Sequence, residues 1–257
     1  MESLLGTAKS SPGGLASASA GPGSAGLASA EPASAGLASA GPASGAARRQ
    51  RNARGQGGRL TEEIVSAALA LIERTGSHEA VTLRAVAREV GIAAPSIYAH
   101  FPDRDAIVMA VVVRIFDQLT EAIEQGASSA GEDPVRRLVA GCEAYVAFGL
   151  EHPARYGVLF SGRRMAAADY CEPVSLGPDG RPVLEFGAEA FALLVDAIAD
   201  CVKAGASTST DVVADGTAVW VAMHGTISLR SALPGFPWPD PDAFVRQFVL
   251  PLAHVRA

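Results

Sequence analysis

The sequence is poor in the residues that most site chemistries need. Its three cysteines, Cys142, Cys171 and Cys201, are far apart and not spaced as CxxC. They imply neither a disulfide framework nor a zinc site, and we expect reduced, packed thiols, no metal and no cofactor. Aromatic residues make up 6% of the chain, and Met1–Ala47 has none. That stretch is almost entirely Ala, Ser, Gly, Pro and Leu, with AGLASA around Leu27 and again around Leu37. So little bulk to bury cannot offset the entropy of ordering, so residues 1–47 are expected to be disordered. Gly21 to Gly26 formally matches GxGxxG, but no strand precedes it and a dinucleotide site is rejected. No run approaches the roughly 18 apolar residues of a membrane span. The opening Met1-Glu2-Ser3 is acidic and leads into no signal-type apolar segment, so a soluble, cytoplasmic protein is expected.

Charge is unevenly placed. The net charge is −6, which taken alone argues against nucleic acid. Residues 48–104, however, hold nine arginines against six acidic residues, whereas 105–257 hold eleven basic against nineteen acidic ones. A basic front and an acidic back suit a molecule that brings only one end to phosphate. The densest basic run, Arg48-Arg49-Gln50-Arg51-Asn52-Ala53-Arg54, contains no acid. It reads either as an arm lying in a minor groove or as a solvated charge run; residues 48–58 are taken as this basic arm.

From Thr61 onward helical signals recur and strand signals do not. Thr61 can cap a first helix with Glu62 and Glu63 in its first turn and Ile64, Ala67, Ala68, Leu71 and Ile72 at helical spacing, and Gly76 stops it. A second helix runs from Thr82 to Gly91, and a very short third one begins near Ala94-Pro95. Asp103 caps a long fourth, with Ile107, Val111, Ile115, Leu119 and Ile123 on one face. Asp133-Pro134 opens another through Leu138, Cys142, Tyr145 and Phe148, and Pro153 restarts the chain. Residues 172–182 read as a loop. Helices at 183–204 and 210–231 follow, then a last one from Asp240-Pro241 that Pro251 should kink or end. The expectation is an all-α protein of about nine helices. It comprises a three-helix helix-turn-helix domain at 59–119 and a larger bundle at 120–257, with the fourth helix shared.

The informative segment is Thr82 to Arg104, TLRAVAREVGIAAPSIYAHFPDR. Two helices crossing steeply need a small residue at the crossing, which Ala87 supplies. They also need a turn residue tolerant of positive φ, which Gly91 supplies. Val86, Val90, Ile92 and Ile97 can close the core between them. The motif, about 82–101, would then present Ser96, Tyr98 and His100 to a major groove.

In these residues the sequence resembles the TetR family. The likeness is carried by LTEEIVSAALALIERTG in the first helix, by SIYAHF in the motif and by PDRDAI opening the fourth helix. Trp220-Val-Ala-Met-His224-Gly225 is similar to the Trp-x-x-x-His-Gly pattern of the WHG-type C-terminal subgroup, and HPARYGVLFSG to the segment before its variable loop. The resemblance implies a homodimeric DNA-binding transcriptional regulator, commonly a repressor, on a double-stranded palindromic operator, with a small-molecule inducer held in the back half. By position it implies DNA contacts from Thr82, Arg84, Ala94, Pro95, Ser96, Tyr98, His100 and Arg104. Tyr145, Phe148, Trp220 and His224 become the candidates for the ligand site. Ala93 and Ala99 depart from the commoner pattern, leaving more of the readout to apolar contacts and DNA shape.

Plainer readings stand beside these. Tyr98 could be a core aromatic, His100 could cap or pack the short helix, and Trp220 and His224 could be core residues with a hydrogen-bonded imidazole. A constitutive DNA-binding protein without inducer is one alternative function. An enzyme pairing Cys142 or Cys201 with His152 or His224 is another, although no motif joins them.

Overall fold

The computed structural model describes residues 57–160 and 187–256. The expectations for the 1–47 tail, the basic run at 48–54, Cys171 and the loop at 172–182 lie outside the described residues. Those residues form eight α-helices: α1 (Gly57–Thr75), α2 (Leu83–Val90), α3 (Arg104–Ser129), α4 (Pro134–Glu151), α5 (Pro153–Phe160), α6 (Ala188–Lys203), α7 (Val212–Ala232) and α8 (Pro241–Leu252). Two short 3-10 segments, His78–Ala80 and Ala94–Ala99, lie among the first three. Among the described residues the extended pairing is one bridge, Ser207 with Val255.

Helix starts follow from short polar side chains. Thr82, Asp103, Asp133, Asp211 and Asp240 each accept a hydrogen bond from the backbone N–H three residues on, at 2.8–3.1 Å. Each thereby satisfies one of the four orphan donors of a helix N-terminus. Thr61 does not act this way. Helix α1 begins a turn earlier, at Gly57, with Arg59 paired to Glu63 at 3.1 Å. The Thr61 hydroxyl instead meets His100 Nδ1 at 3.0 Å. Pro251 sits in the last turn of α8, which runs on only to Leu252.

The core is built on α3. Its residues Ile107, Val108, Val111, Val112, Ile115, Leu119 and Ile123 are all buried. The front of this stripe packs on α1, with Ile64, Ala68 and Ile72, and the rear faces α4 and α6. The expected boundary at 119/120 falls inside α3, the helix both units share. Close approach of α3 and α4 depends on small residues: a Cβ on Gly126 would stand 2.7 Å from the Ala144 Cβ and 2.9 Å from the Ala140 carbonyl oxygen. The C-terminal tail fastens the α6–α7 turn, with Ser207 Oγ donating to Ala253 O at 2.7 Å and Arg256 N to Ala206 O at 2.9 Å.

Helix α7 corrects one expectation. It is long and apolar enough to cross a membrane, with a mean hydropathy of 1.2. Counting uninterrupted apolar residues misses it because Asp215, Gly216, Thr217, His224 and Gly225 break the run. Its composition has a packing cause, since α4, α6 and α8 all pack against it.

Substituting Gly126→Ala should force α3 and α4 apart and lower unfolding stability by roughly 1–3 kcal/mol. Gly58→Ala, where a Cβ meets nothing within 4 Å, should not lower it. Urea midpoints of the two variants check this.

Candidate DNA interface and candidate ligand cavity

At the front, the turn between α2 and the second 3-10 segment is made by Gly91, whose φ of 76° is left-handed and whose N–H closes the end of α2. Val86, Ala87 and Ile97 are buried beneath it, Phe101 closes the other side, and Val90 and Ile92 pack at the edge. The expected third helix is a 3-10 segment with no side-chain cap, because Ala93 has no oxygen to offer. In a 3-10 turn, residues i and i+3 eclipse. Ala94 thus lies over buried Ile97, and exposed Pro95 over Tyr98, which is 60% exposed. Ser96 is also exposed. So large an aromatic left in solvent beside a helix-turn-helix is not a core residue.

Around this face, Thr82 and Arg84 are exposed at the N-terminus of α2, whose free N–H groups favour an anion. His100 is half-buried and tied by its Nδ1 to Thr61 on α1, which favours the packing role for that nitrogen. Arg104 differs most from its expected place. Its Nε donates to Val81 O at 2.8 Å, its Nη2 to His78 O at 2.8 Å and its Nη1 to Asp105 at 2.9 Å. Two of its five donors thus clamp the first 3-10 turn to the start of α3, and a third holds the neighbouring Asp105. Sequence position alone could not reveal this, because the acceptors are backbone carbonyls more than twenty residues upstream.

Behind the motif lies a cavity of about 1140 Å³. Its walls are mostly apolar, including Leu119, Leu138, Phe191, Leu194 and Met223. Tyr145 and Trp220 also line it, whereas Phe148 and His224 do not. Phe148 is buried against His152 in an edge-on contact at 5.2 Å. His224 stands behind the wall in a chain of hydrogen bonds. Trp220 Nε1 donates to Tyr145 Oη at 3.1 Å, Tyr145 Oη meets Tyr156 Oη at 2.9 Å, and Tyr156 Oη meets His224 Nδ1 at 2.8 Å. Tyr156 and Phe160 were not singled out in the sequence, although both lie in the HPARYGVLFSG stretch. Burial raises the pKa values of both tyrosines and lowers that of His224, so all three are neutral.

The buried thiols are inert. Burial pushes Cys142 up to about 12 and Cys201 up to about 11, so neither supplies the thiolate that a nucleophile or metal ligand requires.

One helix touches both regions. On α5, Val158, Leu159 and Phe160 line the cavity and Tyr156 joins the chain behind its wall, while Arg155 pairs with Glu73 of α1 and donates to Gln118 of α3 at 3.1 Å.

Comparison with known proteins agrees with both halves. Residues 64–111 match the family described as bacterial regulatory proteins, tetR family, and residues 138–250 match the tetracyclin repressor-like C-terminal domain. An uncharacterized helix-turn-helix-type transcriptional regulator of Mycobacterium tuberculosis is 30% identical over 95 residues, which is 37% of this chain and 42% of that relative's length. Among solved structures, a protein of unknown function from Rhodococcus sp. RHA1 superposes with a TM-score of 0.60 at 24% identity, over 76% of this chain and 93% of that one. A TetR family transcription regulator from Marinobacter aquaeolei VT8 gives 0.55 at 15% identity, over 79% and 100%. At these identities the superpositions speak for the fold alone.

Replacing Arg104 with Met should destabilise the fold by roughly 1–3 kcal/mol, by orphaning the His78 and Val81 carbonyls; a denaturant midpoint equal to wild type would leave Arg104 free for another role. For His224, the folded value lies below the ordinary 6.5. The unfolded chain therefore takes up the proton first as pH falls. The stability linked to the neutral ring is present above about pH 6.5 and is lost on acidification toward the folded value. The drop in melting midpoint from about pH 7.5 to 5.5 should be smaller in His224→Gln than in wild type.

Proposed function

Because the chain belongs to the TetR family of DNA-binding transcriptional regulators, we propose that it is a homodimeric repressor, held on a palindromic double-stranded operator and released by a small-molecule inducer. The observation that carries the inducer part is the double engagement of α5. Its Arg155 holds α1, beneath the motif, and its next residue, Tyr156, belongs to the hydrogen-bond chain behind the cavity wall. A ligand that moves Tyr156 also moves the anchor of the DNA-binding unit, so differential affinity of the ligand for two positions of α5 becomes differential spacing of the recognition segments. An apolar cavity of this size favours this reading over a constitutive DNA-binding protein. A regulator of this kind works in the cytoplasm.

The DNA contacts we propose are Tyr98, Ser96, Pro95 and Ala94 toward the bases and Thr82 and Arg84 toward phosphate, with His100 and Arg104 serving chiefly to hold the motif. The proposed dimer seam is the outer face of α7. Val221, Gly225, Leu229 and Leu233 recur there every four residues, with Phe236 beyond them, and the four apolar side chains are 51–60% exposed. A Cβ on Gly225 would meet nothing within 4 Å, leaving room for a second backbone. The pattern Trp220-x-x-x-His224-Gly225 supports placing the back half in the WHG-type subgroup.

Mobility shifts with DNA flanking the gene itself, run over a salt series, test the reading. Wild type should be retained specifically, with affinity falling steeply as salt rises. Tyr98→Ala should lose about 1–3 kcal/mol of specific binding at unchanged stability. Retention of Tyr98→Ala at wild-type affinity would remove this residue from the interface.

A further inference from the structure

The cavity has one polar point in its inner wall, and its chemistry can be worked out. We propose that the cavity takes a neutral, largely apolar ligand bearing one hydrogen-bonding group, that Tyr145 Oη is the anchor for this group, and that the His224 tautomer records whether the ligand donates or accepts. This inference rests on the reading of the cavity as a ligand site.

The anchor follows from counting donors. The Trp220 indole can only donate, so one lone pair of Tyr145 Oη is taken. Two arrangements satisfy the rest of the chain. In the first, Tyr145 donates to Tyr156, Tyr156 donates to His224 Nδ1, and His224 carries its proton on Nε2, directed at Ser228 Oγ 3.4 Å away. Tyr145 then keeps one lone pair, which can accept from a ligand donor. In the second, every bond but that from Trp220 is reversed: Ser228 donates to His224 Nε2, His224 Nδ1–H to Tyr156, and Tyr156 to Tyr145. The Tyr145 O–H is then released toward the cavity, where an acceptor on the ligand can satisfy it. Only the first arrangement pairs this O–H within the protein, so it is the resting state when the cavity holds no acceptor. A carbonyl-type ligand selects the second.

The charge of the ligand follows from the rim. The exposed acids Glu124, Glu132, Asp196 and Asp200 outnumber the cations Arg137 and Lys203. Lys203 is paired with Asp200 at 2.8 Å, and Arg137 donates to Gly131 O at 3.3 Å. An anion would lose its hydration without gaining a free cation in the inner wall.

Four simple probes on the full chain test this by titration calorimetry: pentylbenzene, 4-pentylphenol, 1-phenylpentan-1-one and 4-pentylbenzoate. The phenol and the ketone should bind about tenfold more tightly than pentylbenzene, the equivalent of one well-made hydrogen bond, and the benzoate more weakly than pentylbenzene. Tyr145→Phe should bring the phenol and the ketone down to the pentylbenzene level. Nitrogen-15 spectra of the wild-type imidazole give a reading that does not depend on that variant folding: the phenol should leave His224 protonated on Nε2, and the ketone should move the proton to Nδ1. Equal binding of pentylbenzene, phenol and ketone, or a His224 proton that stays on Nε2 with the ketone bound, overturns the anchor while the cavity reading stands. If none of the four binds, the cavity reading itself fails, and this inference with it.

Discussion

The buried stripe of α3, from Ile107 to Ile123, is the surface on which both halves of the molecule are assembled. Its first turns complete the small core under the helix-turn-helix, and its later turns form a wall of the cavity. A unit of one longer helix, the eight-residue α2 and a 3-10 segment has little interior of its own, and burying its inner faces against a 26-residue helix supplies what it lacks. One continuous helix serves both cores, and the Arg155 contacts to Glu73 and Gln118 tie α5 to the same front region.

Polar groups within this framework divide into two kinds. Those at the front are spent on shape: the Thr82 and Asp103 caps, the Arg104 clamp on two carbonyls, and the Thr61–His100 bond all fix the angle at which the exposed Pro95–Tyr98 edge is offered. Arg114 adds to them by binding Glu62 and Ser66, joining α3 to α1. Those beside the cavity form a connected chain from Trp220 to Ser228. It crosses from the cavity wall toward the outer side of α7, near the exposed Leu229. Its bonds can run in either direction, and the two directions differ in whether the Tyr145 O–H is used inside the protein or offered to the cavity.

Much of this was legible in the residues. Caps, periodic apolar faces and the Gly91 turn act over a few positions, so their sequence signatures are local and nearly complete. The residues expected on the buried faces of α3 and α4 are buried, joined by Val108, Val112, Val139 and Val146, and α7 and α8 begin beside the Asp residues that cap them. The start of α1 was misplaced because Thr61 is an adequate cap by type. Which partner takes its hydroxyl is decided by His100, thirty-nine residues away.

The sequence by itself determined the all-helical class, the two-part organisation and the helix-turn-helix, since each depends on periodicity, capping and turn chemistry within short range, whereas the outward place of Tyr98 came from the fold. Tertiary structure alone decided which arginine is a strut, which aromatic residues line a cavity and which stand behind it. Tyr145 and Phe148 are three residues apart on one helix, yet one lines the cavity and the other packs against His152. The physical reason is that a hydrogen bond or a cavity wall is a property of pairs of atoms brought together from distant parts of the chain. The packing of α4, α5 and α7 fixes those distances, and no window of sequence contains them.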